Sequence, residues 1–329
     1  ELATGWSGDL RVSLRSLRRS PVFSATVVLT LAIGIGGTAS VLGFVHEIFR
    51  GPSPYAVPER LVLVWNTLGD DPTRMPVAAP DAALLRERSR TLAGVAFMSG
   101  TVDGGIEAGG DADHVRIATV TPDFFDVLGV TPALGGGLVG PAANGGTSPR
   151  DAADQIVLSD AIWRTLFASD PAVVGRSVRL DGRSVVVVGV LGGDFRVELP
   201  PDAGVAADAD VWAVLTTALA EVRRTDGRRL DQDSDNTGAV VGRVRPGVSL
   251  EAAAREVSGI GVVLQEEIPG YALADVRLEA RPMRRDATIH AAGLGRSLLT
   301  GSALLLLVAS LNVAVLVAGP RGPATERVR

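Results

Sequence analysis

The chain has 329 residues, a net charge of −5 and no cysteine, and all 32 of its basic residues are arginine. The absence of cysteine excludes a disulfide framework and thiolate chemistry. The absence of lysine excludes a P-loop and a Schiff-base nucleophile. Residues 1–20 and 321–329 each carry a net charge of +2, which leaves −9 for the rest of the chain. An acidic body of this kind disfavours nucleic acid as a partner.

A basic segment, DLRVSLRSLRR, occupies residues 9–19. Its leucines and arginines fall on different faces of a helix, so it could lie as an amphipathic helix on anionic lipid. It could equally be a simple basic patch that orients the apolar segment after it. In both interpretations we expect a cytoplasmic basic anchor that consists of Arg11, Arg15, Arg18 and Arg19.

An uncharged run of 25 residues follows, from Pro21 to Val45. As a helix it would extend roughly 37 Å, which is enough to cross a bilayer with some tilt. The run is long for the apolar region of a signal peptide, and no small-residue cleavage site follows it. We therefore expect an uncleaved transmembrane helix.

Small residues recur every fourth position in this run, at Ala32, Gly36 and Ser40. Such a small-residue row lets another helix approach closely inside a membrane. We predict that this row is a helix-packing face.

A second uncharged run covers residues 297–320 and carries Asn312 near its middle. A buried amide inside a bilayer usually faces another helix. Ser310, Ala314 and Ala318 share one helical row close to Asn312. We predict that this second face also contacts protein rather than lipid.

Between the two runs, residues 46–296 show short apolar strands separated by a few helices, which is typical of an α+β or mixed α/β domain. Ser159 and Ser249 each precede an apolar helical pattern and are predicted N-caps. Asp181 and Gly182 predict a tight hairpin turn. The predicted strands are 61–65, 95–98, 114–120, 178–180, 184–191, 211–215, 239–244 and 276–280.

Catalytic and metal-binding motifs are scarce. The 3 histidines are isolated from one another and fit no hydrolase or metalloprotease pattern. Asp231, Asp233 and Asp235 resemble the start of a calcium loop, but Asn236 stands where that loop needs glycine. We predict no catalytic residue, no metal site and no cofactor.

Several longer segments follow one another in a distinctive order. They are LRRSPVFSATVVLTLAIGIGGTASV, PERLVLVW, LRERSRTLAGVA, VTPDFFDVLGVTPALGGG, VLSDAIWRTLFASDPAVVGRSVRLDGRSVVVVGVL, ADVWAVL, GRVRPGVSLEAAAREV and LLLLVASLNVAVLVA. In this order they resemble MacB/FtsX-type ABC transporter permeases, and they are most similar to the duplicated-permease branch of that family.

The resemblance implies an α+β fold in which two transmembrane helices flank a large extracytoplasmic domain. That domain would be of the MacB periplasmic core type, with two small mixed α/β subdomains. Both ends would be cytoplasmic and the membrane would be the plasma (inner) membrane. The expected segments are a cytoplasmic basic segment 1–20, a first span 21–45, an extracytoplasmic domain 46–296, a second span 297–320 and a cytoplasmic tail 321–329.

The resemblance also implies a function. The chain would be a non-catalytic permease subunit, or a truncated fragment of one, that contacts membrane lipid. It would transmit motion from a partner ATP-binding subunit to the extracytoplasmic domain, for export or an envelope function. Further permease spans or a second permease half would be partners. The alternative is a stand-alone membrane-anchored binding domain, and a tethered hydrolase is disfavoured.

One departure from the family lies after the second span. Family members continue there through a basic helix towards the ATPase contact, and they have four or more spans. This chain instead reads GPRGPATERVR, whose glycines and prolines oppose helix formation. We therefore expect the coupling helix to be missing or degraded.

Overall fold

The computed structural model describes residues 21–50, 53–108, 110–139, 154–200, 203–214, 237–288, 297–308 and 310–311. Contacts divide the chain into two compact units. One comprises Glu1–Gly51 with His290–Arg329, and the other comprises Pro52–Ile289. We call them the flanking unit and the sheet unit.

The flanking unit contains two described helices. Helix α1 spans Pro21–Arg50, a length of 30 residues. Helix α8 covers residues 297–308, and residues 310–311 are helical as well. Within the described residues, no helix combines the length and apolarity that a membrane crossing requires. The spans 21–45 and 297–320 therefore stay a prediction.

The sheet unit alternates short strands with short helices. In chain order its elements are a 3₁₀ turn Pro58–Arg60, β1 Leu61–Leu68, β2 Asp71–Met75, β3 Val77–Ala78, α2 Ala79–Arg88, β4 Leu92–Ser99, β5 Val102–Ala108, β6 Asp111–Val120, α3 Phe124–Leu128, β7 Leu134–Gly135, β8 Gln155–Leu158, α4 Asp160–Leu166, a 3₁₀ turn Pro171–Val173, β9 Ser177–Leu180, β10 Arg183–Val190, β11 Val211–Val214, β12 Thr237–Val244, α5 Leu250–Glu267, α6 Pro269–Leu273, β13 Val276–Pro282 and α7 Met283–Ala287. This composition confirms the mixed α/β character that the sequence predicts.

One part of the sheet has the connectivity β-α-β-β-α-β, formed by β1, α2, β4, β12, α5 and β13. The four strands lie in the order β4-β12-β1-β13 and every pair is antiparallel. This is the arrangement of ferredoxin-like folds. The segment between β4 and β12 is an insertion into this fold.

The insertion closes a ring of six strands in the order β5-β6-β11-β8-β10-β9. Pairing of β9 with β5 and of β11 with β6 completes the ring. A cluster of buried aliphatic side chains fills it, including Ile106, Ile156 and Val187. A single pairing, Met98 with Val120, connects the ring to the four-stranded part.

Strand β1 is buried on both faces. Its residues Leu61, Leu63 and Trp65 join one apolar cluster, whereas Val62 and Val64 join another. Successive side chains of a strand point to opposite faces, so an unbroken apolar run suits a strand that is covered on both sides. Helices α2 and α5 cover one face of this strand's sheet.

The predicted N-caps are confirmed. Ser159 Oγ accepts a hydrogen bond from the backbone N–H of Ile162 at 3.2 Å, at the start of α4. Ser249 Oγ accepts one from the N–H of Ala252 at 3.1 Å, at the start of α5. Each bond satisfies one of the donors that a helix leaves free at its N-terminus.

The predicted hairpin is also confirmed. Asp181 and Gly182, with φ 48° and 76°, connect β9 to β10. The Asp181 carboxylate also accepts a hydrogen bond from Gly105 N–H at 2.8 Å. That contact fixes the hairpin to β5, a strand that is absent from the set predicted from the sequence.

Glu256 on α5 fastens the loop that precedes β4. Its carboxylate accepts from Ser89 Oγ at 2.6 Å, from the N–H groups of Arg90 and Thr91 at 2.9 Å, and from Thr91 Oγ1. Burial alone would raise the pKa of this carboxyl, but these hydrogen bonds outweigh burial and lower the pKa from 4.5 to about 2. The loop is therefore held by the ionised form of Glu256.

We expect Glu256→Gln to lower the free energy of unfolding by roughly 1–2 kcal/mol at neutral pH, because the group is partly exposed. Since the folded-state pKa is depressed, this stability is present above about pH 4.5 and is lost as the pH falls towards about 2. Urea unfolding across this pH range measures the effect. The control is Glu266→Gln, an exposed position on the same helix. An equal loss in both variants would contradict the assignment.

Candidate coupling site

The segment that leads into β1, which we call the incoming segment of the sheet unit, is fixed by Tyr55. Its side chain is buried, its hydroxyl donates to the carbonyl oxygen of Arg196 at 2.8 Å, and it accepts from the N–H of Glu198 at 2.8 Å. The neighbouring N–H of Ala56 donates to Gly129 O at 3.2 Å. The few residues before β1 are thus bound to two other loops of the unit.

The segment that follows β13, which we call the outgoing segment, is fixed by Asp286 on the five-residue helix α7. Trp65 Nε1 donates to Asp286 Oδ2 at 2.7 Å. Arg74 donates from Nε and Nη2 to Oδ1 at 3.1 and 2.9 Å. Arg281 Nη1 lies 3.8 Å from the same oxygen. The Arg74 and Asp286 side chains are 5% and 2% exposed, so this ion pair is shielded from water.

The two fixed segments are neighbours. Helix α7 contacts both β1 and the 3₁₀ turn Pro58–Arg60. Burial raises the pKa of the Glu198 carboxyl, and the positive charges of Arg196 and Arg284 oppose that rise. We call this region, defined by Tyr55, Trp65, Arg74 and Asp286, the coupling site.

Tyr55 is held as a neutral hydroxyl. Burial raises the pKa of the Tyr55 hydroxyl well above its ordinary value, although its hydrogen bond from Glu198 opposes this shift. A neutral hydroxyl can donate and accept at once, which is what the two bonds require.

We expect Tyr55→Phe to lower the free energy of unfolding by about 1–2 kcal/mol, because the part-buried N–H of Glu198 and carbonyl of Arg196 lose their partner. Denaturant unfolding measures this loss. Hydrogen exchange should also show reduced protection of the Glu198 amide. Unchanged protection at that amide would contradict the proposed bond.

The predicted helix-packing residues are only partly within the described residues. Ala32, Gly36 and Ser40 are exposed on α1, and the Ser40 hydroxyl donates to Gly36 O at 2.9 Å. Ser310 is also exposed, and its hydroxyl donates to Leu306 O at 2.8 Å. The positions Asn312, Ala314, Ala318, Arg11, Arg15, Arg18 and Arg19 lie outside the described residues. Both packing faces and the basic anchor stay predictions.

The contact that the structure does describe between α1 and α8 uses a different row. Ser302 Oγ donates to Thr38 Oγ1 at 3.0 Å, and Thr38 Oγ1 donates to Gly34 O at 2.7 Å. Gly34 is buried and Thr38 is half-buried. Gly34 and Thr38 are themselves small residues four positions apart, so the same signal could have found this row.

The sequence did not point to the coupling site. Trp65 and Asp286 are 221 positions apart, and neither stands in a recognisable motif. Among the described residues there is no group of three or more histidine and acidic side chains placed to hold a metal ion. The calcium-loop candidates Asp231, Asp233 and Asp235 lie outside the part that the structure describes.

The solved structures that resemble the chain include the following three. A domain of a permease protein from Porphyromonas gingivalis is 15% identical, with a TM-score of 0.47, over 69% of this chain and 92% of that one. The periplasmic region of MacB from Actinobacillus actinomycetemcomitans is 14% identical, with a TM-score of 0.46, over 74% and 98%. The extracellular domain of the noncanonic ABC-type transporter YknZ from Gram-positive bacteria is 12% identical, with a TM-score of 0.41, over 67% and 99%.

No curated protein matches the sequence. The family model described as the MacB-like periplasmic core domain matches residues 24–260, which is well over half of the chain. The resemblance stated from the sequence segments is thereby confirmed. The chain belongs to the family of ABC transporter permeases that carry the MacB-like periplasmic core domain.

Proposed function

We propose that the chain is a membrane-anchored, non-catalytic permease subunit of an ABC-type transporter. The segments 21–45 and 297–320 would cross the plasma membrane, with both ends in the cytoplasm and the sheet unit outside. The uncharged sequence of both segments and the basic residues of both tails support this topology.

The sheet unit would receive motion through the coupling site. The observation that carries this proposal is that the incoming and outgoing segments are fixed beside each other. Tyr55 holds the first by two hydrogen bonds, and Asp286 holds the second by a buried ion pair. A segment without such bonds would extend when the chain is pulled. A fixed segment passes displacement to the β1 core instead.

Further spans would pack against the small-residue row of α1. Ala32, Gly36 and Ser40 are exposed, so the flanking unit leaves this row available to another helix. Close approach at such rows is a common mode of helix association in membranes. The family resemblance suggests that the partner helix belongs to a second permease half. An ATP-binding subunit would drive the assembly from the cytoplasm.

Purification from membranes tests this function. The chain is co-expressed with a candidate ATP-binding subunit and a candidate second permease half from the same genome, and is purified in mild detergent. We expect the ATP-binding subunit to co-purify and its rate of ATP hydrolysis to depend on the permease chain. A chain that purifies alone and leaves that rate unchanged would contradict the proposal and favour the stand-alone binding domain.

One variant at the coupling site and one on α1 separate assembly of the transporter from transmission of motion to the sheet unit. We expect Tyr55→Phe to keep the ATP-binding subunit bound while the dependence of ATP hydrolysis on the permease chain weakens. Ala32→Leu on α1 should instead reduce recovery of the second permease half, because it fills the small-residue row.

A further inference from the structure

Two arginines lie together where β1 begins and β12 ends. Arg60 closes the 3₁₀ turn before β1, and Arg243 is the strand partner of Leu61, the next residue. Arg60 Nε donates to Val244 O at 2.7 Å. Arg243 Nε donates to Val127 O at 2.6 Å. Backbone carbonyls therefore hold both half-buried side chains in place.

The two guanidinium groups have no counter-ion in the part of the chain that the structure describes. Arg60 uses Nε and Nη2 on a single carbonyl oxygen, which leaves its Nη1 without a protein acceptor. Arg243 bonds only through Nε, and its Nη2 is buried without any partner. Burial, and then the charge of Arg60, lower the pKa of Arg243. Neither positive charge is paired with an acidic side chain of the described residues, and an anion bound beside them would offset the cost of burying Arg243.

The backbone around Arg60 is strained. Val57 has φ 51° and ψ 62°, a left-handed conformation that a β-branched residue rarely adopts. Its carbonyl accepts the N–H of Arg60 at 3.1 Å, which closes the turn that positions this arginine. Strain of this kind concentrates at ligand clamps and active sites. The turn thus fixes the position from which Arg60 reaches the end of β12.

We propose that Arg60 and Arg243 form a binding site for a phosphate group. Among the described residues the Nη1 groups of Arg60 and Arg243 are without acceptors, and a phosphate offers enough oxygens for both side chains. A carboxylate has two oxygens, which match one guanidinium group better than two. Helix α7, which carries Arg284 and Arg285, contacts the turn that holds Arg60 and adds positive charge to this side of the unit. The phosphate comes from a lipid headgroup or from solution, and the site does not depend on the proposed transport role.

Thermal unfolding of the full chain in detergent tests the site, with inorganic phosphate as the probe and sodium chloride at equal ionic strength as the reference. At a phosphate concentration ten times the dissociation constant we expect the Tm to rise by about 3–6 °C. Phosphate also stabilises proteins non-specifically because it is excluded from their surfaces. The informative quantity is therefore the difference between variants.

Arg60→Gln and Arg243→Gln should each lose the specific rise. The control Arg245→Gln removes the same charge from an exposed position two residues along and should keep it. If one of the two site variants fails to fold, the other still shows whether the phosphate-induced rise in Tm is lost. An equal phosphate-induced rise in the wild type, the site variant and the control would overturn the proposal.

Lipid nanodiscs separate the two sources of phosphate. Both lipids carry a headgroup phosphate, but only phosphatidylglycerol has a net negative charge, because choline neutralises the phosphate of phosphatidylcholine. If an anionic headgroup occupies the site, phosphatidylglycerol discs should raise the Tm of the wild type relative to phosphatidylcholine discs, but not that of Arg60→Gln, and added phosphate should have no further effect. If the source is soluble, the lipids should be equivalent and added phosphate should stabilise only the wild type. Both results support the phosphate site. If neither lipid nor phosphate distinguishes wild type from variant, the site does not exist.

Discussion

Asp286→Asn should destabilise the sheet unit by about 3–5 kcal/mol, the usual effect of removing one member of a buried ion pair. Asparagine keeps the size of the side chain but removes its charge. The guanidinium of Arg74, which is 5% exposed, would then lack its carboxylate, and the indole N–H of Trp65 would lose an ionised acceptor. Urea unfolding followed by tryptophan fluorescence should show a midpoint lower by roughly 1–2 M.

Two further variants separate charge from packing. Asp70→Asn also removes a carboxylate that pairs with an arginine, since Asp70 lies 3.1 Å from Arg277. The Asp70 side chain is fully exposed, so we expect the free energy of unfolding to change by no more than about 0.5 kcal/mol. Arg74→Met in the Asp286→Asn background removes the guanidinium that Asp286 paired with and should restore part of the lost stability. If Asp286→Asn behaves like Asp70→Asn, the coupling site is not held by this ion pair.

Gly261→Ala should destabilise the sheet unit by roughly 1–3 kcal/mol through overpacking. Gly261 lies where α5 crosses β13. A Cβ added there would stand 2.9 Å from the backbone N and 3.1 Å from Cβ of Leu278. A backbone atom on a paired strand cannot move aside without disturbing the pairing of β13 with β1. Helix α5 would have to shift outward and lose contacts with the core.

Gly259→Ala is the matched control on the same helix. A Cβ at this position meets nothing within 4 Å, so only helix propensity changes, and we expect a stabilisation of about 0.5–1 kcal/mol. Opposite signs for two identical substitutions, two positions apart, would confirm the close crossing. Equal effects in urea unfolding would show that α5 does not approach β13 as the structure describes.

The parts of the fold that could be predicted from sequence depend on neighbouring residues. The capping hydroxyl of Ser249 and the turn formed by Asp181 and Gly182 act on atoms a few positions away, so their residue types are informative. Strand β5, Val102–Ala108, was missed because glycine and aspartate have low strand propensity. Pairing with β6 and β9 overrides that propensity, and such pairing is not visible in a local pattern.

The coupling site was unpredictable for the same reason. The partners of Asp286 come from β1, β2 and β13, and only the sheet order places them together. An acidic residue after two arginines looks like a solvated charge in the sequence. The small-residue signal in α1 is ambiguous, because Ala32–Gly36–Ser40 and Gly34–Thr38 both satisfy it. Only the position of α8 shows which row forms the described contact.

Membrane topology is the most direct test of the whole account, and a chain without cysteine suits it well. Single cysteines are introduced as Asp208→Cys, at a side chain that is 86% exposed in the sheet unit, and as Ser7→Cys in the basic segment. Intact spheroplasts are then treated with a membrane-impermeant maleimide. We predict labelling of Asp208→Cys in intact spheroplasts and labelling of Ser7→Cys only after permeabilisation. Labelling of Asp208→Cys that requires permeabilisation would contradict the account.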